Sequence, residues 1–164
     1  VSEYREIRLT QGQVTIVDAA DFDWLNQWKW FARWSPGMQS FYATRNLPRV
    51  NGKQRHVDMH RVILGLGFGD PREGDHRDPL KTLDNRRSNL RIATSVQNQY
   101  NRRLNCTTGT GYKGVDYVKR TRKYRARITV NGTTVVCGYD STPSGAHELY
   151  VAAAELLHGE FARV

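Results

Sequence analysis

Residues 74–103 read GDHRDPLKTLDNRRSNLRIATSVQNQYNRR, and the interpretation of this stretch decides that of the chain. An Asp-His pair, Asp75-His76, is followed by Asn89 and then Asn98, with arginines throughout. From Arg72 to Asn89 the pattern is short and turn-rich, NLRI forms a brief strand, and Thr94 to Leu104 is helical. Thr94 or Ser95 supplies the N-cap, with Gln97 at capping-box distance from Thr94. Adjacent residues on a strand point to opposite faces, so Asp75 and His76 diverge and can do different work. Hydrolysis of a phosphodiester asks for a base near neutrality, which an imidazole supplies, and for positive charge beside the departing oxygen. A carboxylate holding a hard divalent ion meets the second need. Asn98 could add a neutral oxygen ligand, and Asn89 ties the hairpin backbone so that His76 is aimed. Each residue alone also fits something bland: a surface turn for Asp-His, an Asx-turn for LDNRRSN, a solvated helix position for Asn98. The set fits catalysis better than its members do.

Charge points the same way. The 164-residue chain carries 25 Lys and Arg against 16 Asp and Glu, a formal net charge of +9. Residues 86 to 127 hold twelve of the cations and one acid, Asp116, so the remainder is slightly acidic. Such a local field favours a polyanionic partner, nucleic acid before an anionic membrane surface. No run of apolar residues is long enough to cross a membrane, and Cys106 and Cys137 form neither a disulfide framework nor a zinc knuckle. The expected setting is a reduced one, the cytoplasm of a bacterial or phage-infected cell.

Outward from the central stretch, residues 5 to 17 read as two strands around Gln11-Gly12, and Ala20 to Gln27 as a short helix capped by Asp18 or Asp21. WKWFARW, FYATRNL and QRHVDMH (28–34, 41–47, 54–60) read as a meander turning at Pro36-Gly37 and Asn51-Gly52, with Trp24, Trp28, Trp30 and Trp34 as its core. MHRVILGLG opens a short helix or turn that ends in glycines. After NCTTGT, strand-like runs GYKGVDYV, YRARITV and TTVVCGY follow, the last two joined at Asn131-Gly132. A helix over Ser144 to His158 then places Ala146, Leu149, Ala153 and Leu156 near one face.

The phrase MHR…DHRD…LDNRRSNLR…QN resembles the HNH endonucleases of the phage and bacterial homing type, over roughly residues 56 to 104. The resemblance implies a ββα-metal fold with His76 as general base, Asp75 and Asn98 on one Mg²⁺ or Mn²⁺, and Asn89 positioning the hairpin. It implies products with 5′-phosphate and 3′-hydroxyl ends. His60 and Arg61 would support the site or touch phosphate, and Arg86, Arg87, Arg102 and Arg103 would contact DNA. Asn98 stands where many of these enzymes have His, which favours Mg²⁺ or Mn²⁺ over zinc. Pro79 to Thr82 lengthen the hairpin loop relative to the commonest form.

Residues 109 to 164, in the ensemble YKGV…YRARI…GY…AA…L-GEFA, are similar to the AP2 DNA-binding domain, with Tyr124 where that domain often has Trp. The resemblance implies a three-stranded sheet laid into the major groove. Alternation puts Arg125, Arg127 and Thr129 on the expected DNA face, joined by Lys113, Tyr117 and Lys119, while Arg120, Arg122 and Lys123 suit phosphates. The expected architecture is therefore α+β. A β-rich segment and HNH nuclease domain occupy residues 1–104, a linker 105–110, and a three-stranded sheet packed on one helix 111–164. The expected partner is double-stranded DNA, bound by a monomer with no protein partner implied. A DNA-binding protein that does not cleave is the competing expectation, and an RNA-binding module using Tyr112, Tyr117 and Tyr124 a third.

Overall fold

A computed structural model describes residues 3–101 and 109–163. The fold is mixed α+β, built from several small antiparallel sheets with short helices. It divides into two compact units, Val1–Asn98 and Gln99–Val164. Arg102, Arg103 and Cys106 lie outside the described residues.

Unit 1 opens with a hairpin of β1 (Tyr4–Arg8) and β2 (Val14–Asp18). Gln11 and Gly12, both at positive φ, make the turn. Thr15 and Val17 of β2 point inward. The helix α1 (Ala19–Leu25) follows directly. Asp18 occupies its N-cap position but makes no side-chain capping bond; its carboxylate accepts the backbone N–H of Arg87 instead. The meander forms as β3 (Phe31–Ser35), β4 (Ser40–Val50) and β5 (Lys53–Asp58), in the order β3-β4-β5. The β4–β5 register slips between Leu47 and Val50, the segment containing Pro48, which has no N–H to give the ladder. Asn51 and Gly52, both at positive φ, close this hairpin as the Asn-Gly pair predicts.

Of the four tryptophans expected in the core, Trp30 alone is fully buried; its indole N–H donates to the Leu25 carbonyl at 2.8 Å. Trp28 and Trp34 are exposed, Trp34 lying at the outer end of β3 against Phe41. Aliphatic side chains do the filling: Ile7, Val17, Leu25, Met59, Ile63 and Leu90 make the core with Trp30 and Ala43. After α2 (Met59–Ile63) come β6 (Glu73–His76) and β7 (Leu90–Ala93), an antiparallel pair, and then α3 (Ser95–Tyr100). Thr94 and Gln97 form the reciprocal capping box: Thr94 N–H donates to Gln97 Oε1 at 2.8 Å, and Gln97 N–H donates to Thr94 Oγ1 at 3.2 Å.

Unit 2 is a sheet of β8 (Val115–Val118), β9 (Lys123–Val130) and β10 (Thr133–Asp140), in the order β10-β9-β8, covered on one face by α4 (Pro143–His158). Asn131-Gly132 makes the β9–β10 turn with both φ positive. Thr142 caps α4 by accepting the Gly145 N–H, with Pro143 in the first turn where its missing N–H costs nothing. The buried stripe of α4 is Ala146, Tyr150, Ala154 and His158, a spacing of four. The expected stripe shares only Ala146 with it, and Leu156 is 83% exposed. The helix turns its small residues and one tyrosine to the sheet because Tyr150 fills the space over Gly114. That glycine has φ +73, and a Cβ there would strike the Tyr150 ring and lie 2.8 Å from the Arg127 carbonyl oxygen.

Replacing Gly114 by Ala forces a left-handed backbone on an L-residue and overpacks the Tyr150 contact at once. The expected loss is at least about 2 kcal/mol. Urea unfolding followed by circular dichroism reads it; an unchanged midpoint would refute this account of the α4 packing.

Candidate active site

The hairpin of β6 and β7 presents two different faces. Opposed pairs are Glu73 with Ala93, Gly74 with Ile92, Asp75 with Arg91 and His76 with Leu90. His76 shares the core-directed face with Leu90, and Asp75 and Arg91 lie on the other.

His76 is nearly fully buried, and its Nε2 lies 3.2 Å from Asn85 Oδ1. The surrounding hydrogen bonds fix which nitrogen carries the proton. Thr15 Oγ1–H donates to the Leu83 carbonyl at 2.8 Å, so that oxygen can only accept from its other neighbour. The neighbour is Asn85 Nδ2, at 2.8 Å, which turns Oδ1 of the same amide toward His76. An amide oxygen only accepts, so Nε2 is the protonated nitrogen and Nδ1 the basic one. Burial, the largest influence, pushes the His76 pKa below its ordinary value, against the opposing effects of the Asn85 bond and the Asp75 and Asp84 charges. His60, from α2, lies alongside with ring centroids 4.9 Å apart. Burial, with the charge of His76 adding to it, pushes His60 down to about 3. Gly74 makes room for this pair, since a Cβ there would meet the His60 ring.

The loop between the strands is held from both ends. Asn89 Oδ1 accepts the Asp78 N–H at 3.0 Å, while its Nδ2 donates to the carbonyls of Asp84 at 2.9 Å and Lys81 at 3.2 Å. One side chain thereby spans the loop. From the N-terminal hairpin, Ile16 N–H donates to the Leu83 carbonyl and its carbonyl accepts the Asn85 N–H. Arg87 is fastened to Asp21 by two bonds of 2.8 and 2.9 Å. Burial raises the Asp21 pKa, but the Arg87 and Trp24 bonds outweigh it and hold the carboxyl low.

On the opposite face Asp75 and Arg91, both buried, form an ion pair in which Nε and one terminal nitrogen each reach Oδ2 at 2.8 Å. Asn98 of α3 donates its amide N–H to Glu73. Asp75, Glu73 and the amide oxygen of Asn98 are oxygen donors that suit a hard divalent cation rather than zinc. Among the described residues, no group of three or more His, Cys, Asp or Glu side chains is placed to hold a metal.

Several expected DNA contacts are engaged within the protein. Arg86 makes a two-pronged ion pair with Asp84, at 2.8 and 2.6 Å, and Arg87 is spent on Asp21. Arg61 donates to the carbonyls of Gly67, Asp70 and Arg72, stapling the loop after α2. In unit 2 the Lys113 ammonium lies in no strand. It donates to the carbonyls of Tyr100 and Arg163, and burial, helped by the Arg163 charge, lowers it to about 8. Tyr117 faces away from Arg125, because the register pairs Asp116 with Arg125 and Tyr117 with Tyr124. Arg125, Arg127 and Thr129 do share the face away from α4, the two arginines bridged by Asp116 at 2.8 and 3.1 Å. Lys119, Arg120, Arg122 and Lys123 are exposed at the β8–β9 turn.

The residues missed in the sequence are Thr15, Glu73, Asn85 and Arg91. Asn85 sat in plain view within LDNRR, where an Asx-turn explained it. Thr15 carries no local signal, because its partner is 70 positions away.

The chain is 28% identical over 152 residues to a protein named an uncharacterized HNH endonuclease from Acanthamoeba polyphaga mimivirus, a match covering 93% of this chain and 74% of that protein. This is family-level similarity to an HNH-type nuclease. No family model matches the chain, and no solved structure matches it.

The buried histidines set a pH dependence. Their pKa values are lower in the folded state than the unfolded value near 6.5, so the unfolded chain binds more protons as the medium is acidified. Stability is then full above about pH 6.5 and falls below it, by up to about 1.4 kcal/mol per pH unit for each histidine. Unit 1 should show a lower urea midpoint at pH 5 than at pH 7.5, before the carboxylates titrate. All four tryptophans belong to this unit and report it by fluorescence. Equal midpoints would mean that the imidazoles are protonated without cost.

Proposed function

We propose that the chain is a divalent-metal-dependent, site-selective DNA endonuclease of the HNH homing type. The observation that carries the reading is the state of His76: buried, held neutral, and fixed with Nδ1 as its basic nitrogen, next to Asp75 on the same strand. In this reading His76 Nδ1 takes a proton from water, and the resulting hydroxide attacks phosphorus. The bond from phosphorus to the 3′ oxygen breaks, and that oxygen leaves with the electron pair and gains a proton from solvent. The ends are a 5′-phosphate and a 3′-hydroxyl. Asn89 keeps the loop closed so that the Asn85 amide stays on Nε2. Asp75 and Asn98 would hold Mg²⁺ or Mn²⁺, with Glu73 beside Asn98. Such an ion, when bound, offsets the charge that builds on the leaving oxygen.

Unit 2 is read as an AP2-like module for double-stranded DNA. Its open sheet face, with Arg125, Arg127 and Thr129, would enter the major groove, and Lys119, Arg120 and Arg122 would meet phosphates. Tyr117 faces away from this surface and Lys113 and Arg61 are held on backbone carbonyls, while Arg86 and Arg87, like Arg125 and Arg127, would have to release a carboxylate to meet a phosphate. The protein would act as a monomer in the cytoplasm of a bacterial or phage-infected cell. One observation favours a second reading, a double-stranded DNA-binding protein that does not cleave: Arg91 already neutralises Asp75.

The two readings separate on supercoiled DNA carrying the gene's own flanking sequence. Cleavage is expected with Mg²⁺ or Mn²⁺, none with EDTA, and His76→Ala should lower the rate by about 10²- to 10⁴-fold. Open circles would mark nicking and linear product a double-strand cut. Binding without cutting under either metal would sink the nuclease and leave the non-cleaving binder.

A further inference from the structure

Unit 1 carries an open cleft of about 630 Å³ between the end of β1, the approach to β3 and the middle of β4, with Arg8, Trp28, Lys29, Phe31, Arg45 and Asn46 in its wall. No acidic residue lines it. The volume lies within the range of small-ligand sites.

Many cations of this unit are already committed: Arg33, Arg72, Arg86, Arg87 and Arg91 each have a carboxylate partner, and Arg61 has three carbonyls. Among the described residues no carboxylate pairs with Arg8, Lys29 or Arg45. Arg45 lies over the Trp28 ring at 4.3 Å and within 5.6 Å of Trp30, and its buried Nε has no hydrogen-bond partner. A buried donor without an acceptor is costly until an acceptor arrives. Three unneutralised cations in one concavity raise its potential toward an anion. Trp28 is 37% exposed, so part of its ring surface is open to a ligand.

We propose that this cleft binds an unstacked nucleotide of a nucleic-acid strand, its phosphate on Arg45 with Arg8 and Lys29 beside it, and its base against Trp28. A phosphate answers the three cations and the unpaired Nε. A flat ring answers the exposed indole, and every base has a π-face to offer it. A bare inorganic anion would use the first feature and leave the second idle. This goes beyond the cleavage reading and does not depend on it, since neither His76 nor a metal takes part.

The test uses the full chain in EDTA, so that cleavage is excluded, and reads tryptophan emission. The four tryptophans all lie in unit 1, so this signal reports on that unit. A thymidylate hexamer, thymidine monophosphate and inorganic phosphate are titrated separately. Saturable quenching by the hexamer is expected, reduced by at least about half in Trp28→Phe, where a smaller ring remains to be stacked. Lys29→Glu and Arg8→Glu, both at exposed positions, should weaken binding and lower the salt slope by about one for each cation removed. Quenching by the hexamer and not by the monophosphate assigns the site to a strand. Equal saturation by both assigns it to a single nucleotide, free or within a chain, and supports the same chemistry. Quenching reproduced by inorganic phosphate alone, or hexamer affinity unchanged in both charge-reversal variants, overturns the proposal.

Discussion

The hydrogen-bond chain from the Leu83 carbonyl through Thr15 and Asn85 to His76 is the constraint on which unit 1 turns. Each step is forced by the one before it. A carbonyl only accepts, so the threonine hydroxyl donates there; its oxygen then takes the Asn85 N–H, and the remaining amide oxygen takes the imidazole N–H. Three distant parts of the chain meet in this relay: the N-terminal hairpin, the loop after β6 and the β6 strand. The two backbone bonds between Ile16 and the Leu83–Asn85 segment run beside it. The N-terminal hairpin is therefore part of the wall that sets the state of His76, not a preceding appendage.

Local features were legible in the sequence and long-range ones were not. Turn chemistry located Gln11-Gly12, Asn51-Gly52 and Asn131-Gly132, because positive φ at consecutive residues restricts the choice to a few side chains. The Thr94–Gln97 capping box was readable for the same reason, its two partners being three residues apart. The inward stripe of α4 was misread, since Leu149 and Leu156 outrank alanine by hydropathy and nothing local says that Tyr150 must fill the space over Gly114. At the candidate site His76, Asp75, Asn89 and Asn98 stood out as a pattern. Thr15 and Asn85, which fix the tautomer, did not, because a single hydroxyl and one more asparagine acquire meaning only when folding brings them together.

Counting cations overstates an interface for a related reason. The excess of Lys and Arg between residues 86 and 127 looks like one electrostatic surface. Its members separate once partners are known. Arg86, Arg87 and Arg91 hold carboxylates, Lys113 holds two carbonyls, and Arg125 and Arg127 share Asp116. An arginine committed to a two-pronged pair has lost much of its field at a distance and must break that pair to meet a phosphate. The charge with most freedom to act lies in the exposed β8–β9 turn of unit 2. In unit 1, Arg8, Lys29 and Arg45, which share one cleft, lie outside the run that composition singles out.

In the proposed reading the histidine pair sets stability against reactivity in the same few atoms. Burying two imidazoles with ring centroids 4.9 Å apart makes protonation of either one unfavourable through lost hydration, and for His60 through repulsion from His76 as well. In the proposed reading a protonated His76 could not act as a base, and burial, by lowering its pKa, favours the neutral form. The same arrangement lowers the stability of unit 1 wherever the unfolded chain can take up those protons. A side chain at residue 74 would weaken these effects, because its Cβ would push His60 aside and loosen the packing around the two rings. In the proposed reading Gly74 and His60 would thus act on His76 without touching a substrate, through the packing of its ring.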